Sequence, residues 1–273
     1  MKENVITNIN QWNELLGKYQ DRNTLTNNYM LPTEIEQHIE NGGLKVSEGT
    51  SNLFLYIEKP KCKRVYYYLN DLEEYFKTSI DSVLALEILF RDVQGVPNKE
   101  LEYFSKNGFI LNRRRDQYSG AYKTMAVPML IQGVLTRKAN NLEEVKRSCD
   151  LFNSVFDNYS GDFITEEEIP QLYEDGDIIV VTDLKGNYLG ALHQTIVKNT
   201  AWVSHVAVIE ESRGRGAGKA LLDTFVEWNK CEGKGRYMLW VQSQNTPAIN
   251  MYKQKGFKYV GKSTISMIKL TNK

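Results

Sequence analysis

The sequence predicts an α/β fold with two domains in tandem, in which a mixed, mostly antiparallel sheet is flanked by helices. The chain has 273 residues, which is more than one domain commonly holds. Hydrophobic residues make up 41% and charged residues 25%, so each half has enough apolar residues for a core. After residue 130, short apolar runs alternate with segments of helical periodicity. We expect domains at 1–126 and 127–273.

The second half contains the clearest element signals. Helices are expected from Asn141, over 166–172, after Gly218 and from Thr246, where Thr246 would be the N-cap residue. Gly256 has the position of a left-handed residue that ends the last of these helices. The predicted strands span 133–136, 177–182, 188–195, 202–208, 237–241, 257–260 and 265–268.

Charge and cysteine content exclude several classes of function. Lysine plus arginine equals aspartate plus glutamate at 34 each, so no overall field would attract nucleic acid or an anionic membrane. The run Arg113–Arg115 is typical of a solvated strand end. Cys62, Cys149 and Cys231 have neither metal-ligand nor disulfide spacing. With no signal peptide or membrane-length apolar stretch, we expect a cytoplasmic protein.

A glycine-rich run, Arg213–Gly218, joins a predicted strand to an amphipathic helix. Free N–H groups and the helix dipole make such a start an anion site, and glycine lets the backbone approach phosphate oxygens. Arg213, Arg215 and Lys219 add positive charge, which favours a pyrophosphate site over the alternative, a flexible connection without a ligand. The run is neither a Walker A loop, because alanine follows Lys219, nor a dinucleotide fingerprint, because its glycine spacing differs.

Two motifs resemble those of the GNAT N-acetyltransferase superfamily. Arg213-x-x-Gly216-x-Gly218, after a strand that ends in Val-Ala-Val at 206–208, resembles the acetyl-CoA signature of that family. The segment from Asn245 through Tyr252 to Gly256-Phe257 resembles its second motif. The resemblance covers about residues 131–270. It implies a GNAT sheet and acetyl-CoA as the co-substrate.

The resemblance also implies roles for individual residues. The strand at 204–208 would separate from its neighbour, and the amide of Val206 would stabilise the oxyanion that forms on the thioester carbonyl. Asn245 would contact the pantetheine arm, and Tyr252 would be the general acid that protonates the departing thiolate. Helix capping by Asn245 and a core role for Tyr252 are the alternatives. The implied cofactor contacts come from Val206, Ala207, Val208, Arg213, Gly214, Arg215, Gly216, Ala217, Gly218, Lys219, Asn245, Ala248 and Tyr252.

The sequence leaves the general base open. Strand alternation predicts Trp202, Ser204, Val206 and Val208 on one face, with His205 and Ala207 on the other. Neither Trp202 nor Ser204 is a strong base. The alternatives are a water held by Ser204, His193 from the adjacent strand, His205 if a bulge intervenes, and an acceptor amine that is already neutral.

The first half contains a partial copy of the second motif. A strand at 83–90 precedes a helix from Pro97 that ends at Gly108-Phe109, and alignment with Gly256-Phe257 places Phe104 where Tyr252 stands. The turn at 70–74 is acidic and lacks glycine. We therefore expect residues 1–126 to be a degenerate GNAT-like domain that does not bind CoA, the alternative being an unrelated α+β domain.

The predicted function is transfer of an acetyl group from acetyl-CoA to a primary amine by direct attack in a ternary complex. No cysteine lies near the motifs apart from Cys231 at the far end of the helix, which disfavours a covalent acyl-enzyme. The acceptor would be a small-molecule or peptide amine, with no metal, nucleic acid or membrane involved. The alternatives are transfer of a longer acyl or aminoacyl group, and a non-catalytic acyl-CoA sensor or scaffold.

Overall fold

The structure is a computed structural model that describes residues 1–129, 131–159 and 162–270. These residues divide into two compact units. The first holds 1–114, 159 and 263–270, and the second holds 115–129, 131–158 and 162–262. The boundary expected at 126/127 falls inside the second unit, because the strand that follows Gly108 already belongs partly to it.

The first unit is a mixed sheet with three helices in its described part. Its strands lie in the order β1-β3-β4-β5-β6, β2 pairs with β5, and β5 and β6 run parallel while the other registered pairs are antiparallel. The helices are α1 (Ile9–Tyr19), α2 (Pro32–Glu40) and α3 (Asn98–Lys106). The strands are β1 (Lys2–Ile6), β2 (Leu25–Thr26), β3 (Leu44–Glu48), β4 (Leu53–Lys59), β5 (Cys62–Leu69) and β6 (Leu84–Arg91).

Two further strands contribute residues to both units. β7 (Ile110–Ala121) divides after Arg114, and β13 (Lys258–Lys269) divides after Lys262. The sequence predicts two strands, 257–260 and 265–268, where the structure has the single strand β13. That prediction is wrong because the intervening Ser263 and Thr264 are buried within the strand, although their polarity suggested a break.

The second unit is also a mixed sheet. Its strands lie in the order β7-β12-β11-β10-β9-β8, and β11 runs parallel to β12 while the other registered pairs are antiparallel. The strands are β8 (Val134–Lys138), β9 (Ile178–Asp183), β10 (Tyr188–Val197), β11 (Thr200–Val208) and β12 (Arg236–Gln242). The helices are α4 (Leu142–Val155), α5 (Ile169–Asp175), α6 (Ala217–Cys231) and α7 (Thr246–Lys255). The mixed, mostly antiparallel sheets flanked by helices confirm the predicted fold class.

Helices cover both faces of the second sheet. On one face, Leu221, Leu222 and Phe225 of α6 pack against strand residues such as Leu192 and Leu239. On the other face, α4 packs Val145, Cys149 and Phe152 against Ile178, Val180 and Ala207. In the described part of the chain, no helix is long and apolar enough to cross a membrane. Because α6 connects the parallel strands β11 and β12, its amino terminus lies at their carboxyl ends.

Candidate functional site

β11 and β12 separate part-way along their length. Their parallel register runs from Thr200 opposite Arg236 to Val203 opposite Leu239 and ends there among the described residues. The backbone of 204–208 therefore continues beside β10 alone. This is the separation that the resemblance implied, and it leaves a gap lined by peptide groups.

A β-bulge lies at the start of this gap. His193 pairs with His205 and Gln194 with Val203, so Ser204 is the extra residue of β11. Val203 before the bulge and Val206 after it both pack with the α6 face. The predicted alternation is therefore wrong for Trp202, which does not share a face with Val206. It is confirmed that Ala207 lies on the opposite face, with α4.

The loop before α6 leaves the first helical amides uncapped. Gly216 is the N-cap residue, with φ of 86°, and it has no side chain to accept a hydrogen bond. By contrast, α1, α4 and α7 are each capped by an asparagine side chain: Asn8, Asn141 and Asn245 respectively. The N–H groups of 217–219 are thus available to an anion. The positive charge is exposed here, since Arg213, Arg215 and Lys219 all face solvent.

Asn245 lies at the amino end of α7. Asn245 Oδ1 accepts a hydrogen bond from the Ala248 N–H at 3.2 Å. Asn245 is therefore the N-cap residue, and the predicted N-cap role of Thr246 is wrong because a side chain one residue earlier reaches the free amide. Pro247 becomes the second helical residue, a position that needs no amide hydrogen.

Tyr252 is almost fully buried, with 4% of its surface exposed. Its ring packs edge-on against Phe257 at 5.9 Å, yet no described residue hydrogen-bonds its hydroxyl group. Burial raises the pKa of Tyr252 far above its ordinary value, because the phenolate would be poorly solvated there. The hydroxyl group stays protonated at neutral pH and can donate a proton to a ligand.

Two histidines, the half-buried His193 and the buried His205, stack on the α4 face. The Nδ1 atoms of His193 and His205 are 3.1 Å apart, and His205 also stacks on Phe152 of α4 at 5.2 Å between ring centres. Burial lowers the pKa of His193 to about 3, with the His205 ring adding to the shift, and lowers that of His205 to about 4. Both rings are neutral at pH 7. One Nδ1 must then donate to the other.

The second ring nitrogen of His205, Nε2, is buried and has no hydrogen-bond partner among the described residues. The Asp162 backbone lies near enough to raise the His205 pKa slightly, without reaching hydrogen-bond geometry. Because Nε2 is shielded from solvent, an acceptor molecule does not reach it in this structure. Ser204 is exposed, and its hydroxyl group hydrogen-bonds Thr195 at 2.7 Å.

A segment outside the sequence motifs also contacts the loop. We call residues 124–129 and 131 the strap. The Ala126 N–H donates to the Lys255 carbonyl at 2.8 Å, and the Met129 N–H donates to Asp223 Oδ2 at 3.1 Å. A Cβ atom at Gly216 would lie 2.7 Å from Ile131 Cγ2. The strap has no periodicity, so no sequence signal indicated it.

The first unit has the same parallel strand pair, but its gap is filled. β5 and β6 are registered only at Lys63–Leu84 and Arg64–Ala85. Beyond that point the buried Asn27 side chain donates to the Val65 and Glu87 carbonyls, both at 3.1 Å. It also accepts from the Tyr67 N–H at 2.9 Å. By register, Tyr67 corresponds to Val206, since each lies three residues after the last registered pair.

The motif of the first half also has its structural counterpart. The Phe109 N–H donates to the Phe104 carbonyl at 3.0 Å, as the Phe257 N–H donates to the Tyr252 carbonyl at 3.0 Å. Phe104 is fully buried and has no hydroxyl group. In the acidic turn, the Glu74 carboxylate accepts from the backbone N–H groups of residues 50–52. The carboxylate of this turn is therefore occupied by backbone N–H groups of the same chain.

Comparison with known proteins agrees with this geometry. Residues 147–257 match the family model described as the acetyltransferase (GNAT) family. The second unit carries a GNAT-family domain. The chain is 33% identical over 63 residues to YobR of Bacillus subtilis (strain 168), an uncharacterized N-acetyltransferase, and the match spans 23% of this chain and 26% of YobR. The similarity thus covers about a quarter of that relative's length.

Solved structures resemble the chain over most of its length. A GCN5-related N-acetyltransferase from Sphaerobacter thermophilus is 12% identical, with a TM-score of 0.61 over 88% of this chain and 86% of its own. A tandem GNAT protein from the clavulanic acid biosynthesis pathway is 10% identical, with a TM-score of 0.54 over 98% of each chain. At such identities the likeness is one of fold. It agrees with the predicted fold class, a mixed, mostly antiparallel sheet flanked by helices.

Proposed function

We propose that the protein is an N-acetyltransferase that uses acetyl-CoA as its donor and a primary amine as its acceptor. The observation that carries this proposal is the gap after Val203 and Leu239, placed directly before the uncapped amides of 217–219. A thioester of CoA needs both features. An extended pantetheine arm pairs with strand peptide groups, and a pyrophosphate needs amides and positive charge.

The reaction is a direct transfer between two bound substrates. The acceptor nitrogen attacks the thioester carbonyl, and the Val206 N–H donates to the oxygen that becomes negative. The carbon–sulfur bond then breaks, the sulfur takes a proton from the Tyr252 hydroxyl group, and the nitrogen loses its own proton. Cys149 is buried in α4, and burial raises its pKa to about 12, so this thiol does not form an acyl-enzyme.

The acceptor amine enters in its neutral form. Nε2 of His205 is shielded from solvent, and the Ser204 hydroxyl group hydrogen-bonds Thr195 rather than a base. A neutral amine needs no strong base before attack, and its proton leaves to a water that the exposed Ser204 hydroxyl group can hold. The acceptor in this proposal is a small-molecule or peptide amine.

Each chain has one donor site. In the first unit, Asn27 holds the peptide groups that would bind a pantetheine arm, and Phe104 replaces the acid. We assign this unit a structural role. None of Cys62, Cys149 and Cys231 is in a disulfide, which agrees with the reducing conditions of the cytoplasm, where we place the protein.

The test is calorimetric titration of CoA, followed by an acetyl-transfer assay over a panel of amines. Reversing the charge of Lys219 to glutamate is expected to weaken CoA binding by about tenfold or more, since two like charges then meet at the loop. The matched control is Arg236→Glu, at the exposed opposite end of β12. Equal affinity of the two variants would refute the donor site. CoA binding without turnover of any amine would favour a sensor, and turnover only with longer acyl-CoAs would favour a different acyl group.

A further inference from the structure

The free edge of the sheet in the first unit lies between two grooves. Among the described strands β1 pairs with β3 alone, so its other edge presents peptide groups without a strand partner. An open groove of about 630 Å³ flanks β1 on one face of the sheet, and another of about 480 Å³ flanks it on the other face. Asn4 and Val5 line both grooves, so the two grooves meet along β1.

The larger groove lies on a part of the sheet that no helix covers. In the second unit α6 connects the parallel strands β11 and β12, whereas residues 70–83 connect β5 to β6 without a helix. Lys45 is registered opposite both Val5 and Tyr56, so these three side chains share the open face. Residues 78–81, which we call the rim segment, form the outer side of this groove.

Glu3 of β1 holds the rim segment in place. Its carboxylate accepts hydrogen bonds from the Ser79 N–H at 2.6 Å, from the Thr78 hydroxyl group at 3.1 Å and from the Ser79 hydroxyl group. The bond from the Ser79 hydroxyl group contributes most to lowering the pKa of Glu3, so the carboxylate stays charged at neutral pH. The rim segment is therefore tied to β1 through a side chain, and the backbone edge of β1 is not used.

Helix α1 forms the outer side of the smaller groove. Gln11, Glu14 and Lys18 of α1 line it together with Glu48 of β3. The edge of β1 is thus recessed between α1 on one face and the rim segment on the other. A further strand placed there would point alternate side chains into the two grooves, because successive residues of a strand face opposite sides of the sheet.

The charges of the grooves indicate the chemistry of such a strand. All three lysines that line them lie within 3.8 Å of a carboxylate: Lys18 by Glu48, and Lys45 and Lys63 by Glu58. Glu14 and Asp81 have no ion-pair partner among the described residues, which leaves a negative charge on each side of the edge. The larger groove also presents apolar surface, since Val5 is 49% exposed and Ile80 half-buried.

We propose that this slot binds an extended, basic segment of a partner protein, which adds a strand to the free edge of β1. Lysine or arginine side chains of the segment lie in the smaller groove beside Glu14, and the alternate apolar side chains lie against Val5 and Ile80. Backbone pairing supplies affinity and the two grooves supply specificity. This binding is additional to the structural role of the first unit and does not depend on acetyl transfer.

The experiment measures binding of a terminally blocked peptide of four Lys-Val repeats to the full chain, without CoA, by fluorescence anisotropy at low salt. A peptide of four Glu-Val repeats should bind at least about tenfold more weakly, because its carboxylates meet those of the slot. Antiparallel pairing uses the N–H groups of alternate residues. Of two peptides methylated at the N–H groups of all lysines or of all valines, one should therefore bind about tenfold more weakly than the parent peptide. The proposal is overturned if the Lys-Val peptide does not bind, or if both methylated peptides bind as tightly as it does.

A charge reversal places the peptide in the slot. Glu14→Lys is expected to weaken binding of the Lys-Val peptide by about fivefold, because an attraction at an exposed site becomes a repulsion. The matched control Glu36→Lys makes the same charge change on the exposed side of α2, outside both grooves. Melting temperatures of both variants should equal that of the unsubstituted protein, because neither side chain is buried. Equal affinities of the two variants would contradict the proposal. Tighter binding of a peptide with the sequence of residues 2–6 would also contradict it, since the occupant would then be a second copy of this chain.

Discussion

The stacked pair of His193 and His205 predicts an acid-sensitive second unit. Burial lowers the folded-state pKa of His205 to about 4 and that of His193 to about 3, with the neighbouring His205 ring contributing to the latter. In the unfolded chain each would titrate near ~6.5. As pH falls below that value, the histidines bind protons in the unfolded state but not in the folded state, so the free energy of unfolding decreases.

The size of the effect at pH 5 follows from these values. Because both folded-state values lie below 5, the result depends little on either one. Each histidine then lowers the free energy of unfolding by about 2 kcal/mol between pH 7 and pH 5, and the pair by about 4 kcal/mol. The charged residues that face the pair are few: Glu168 opposes the shift at His193, and Arg115 adds to it at His205.

Denaturant unfolding at pH 7 and pH 5 gives the free energy of unfolding at each pH. Hydrogen exchange of peptides from β10 and β11 shows whether the change lies in the second unit. His193→Gln/His205→Gln removes both titrating groups and leaves every carboxylate in place, so it should lose about 4 kcal/mol less than the unsubstituted protein. Each single variant should show about half of that difference, because one of the two titrating groups remains. His38→Gln is the control: burial lowers the pKa of His38 too, but His38 lies in the first unit, so hydrogen exchange of β10 and β11 should be the same as in the unsubstituted protein. If the double variant is as acid-sensitive as the unsubstituted protein, the reasoning is wrong.

Three further substitutions test other parts of the structure. Tyr252→Phe should lower kcat by about a hundredfold without changing the melting temperature, because its hydroxyl group bonds no described residue; unchanged turnover would exclude it as the acid. Asn27→Ala should destabilise the first unit by at least ~3 kcal/mol in denaturant unfolding, since three buried backbone groups lose their partner, and a neutral result would refute its bridging role. Gly256→Ala should destabilise the second unit by more than about 1 kcal/mol, because its φ is 110° and a Cβ would lie 2.6 Å from the Thr124 carbonyl oxygen. Gly133→Ala is the control for backbone strain alone, because its φ is 82° and a Cβ there would have no neighbour within 4 Å; thermal unfolding of both variants measures the two losses of stability.

Local patterns predicted much of the second unit. The run that became β9, the helix from Asn141 and the left-handed Gly256 followed from periodicity and turn chemistry, and the structure contains them. The two motifs around Gly216 and Tyr252 indicated the family. These signals are local because propensity, capping and glycine conformation act within a few residues.

Pairing between distant residues decided the rest of the candidate site. The bulge at Ser204 exists only because β11 is registered against β10, and it reverses the face of every residue after it. The histidine pair joins two strands across that bulge. A strand read alone has an alternation but no partner, so neither the bulge nor the burial of His205 follows from it.

Residues 1–126 show the same division. The repeated Gly-Phe pair indicated a copy of the motif, and the sequence itself excluded an acid at Phe104. Only the tertiary structure showed how the gap of that copy is filled, because Asn27 lies 38 to 60 residues from the groups it bridges. In the second unit, likewise, the sequence predicted a phosphate site before α6, whereas the strap depends on contacts across 94 and 129 residues. Periodicity carries no information about contacts at such separations, since they arise when the finished sheets and helices bring distant segments together.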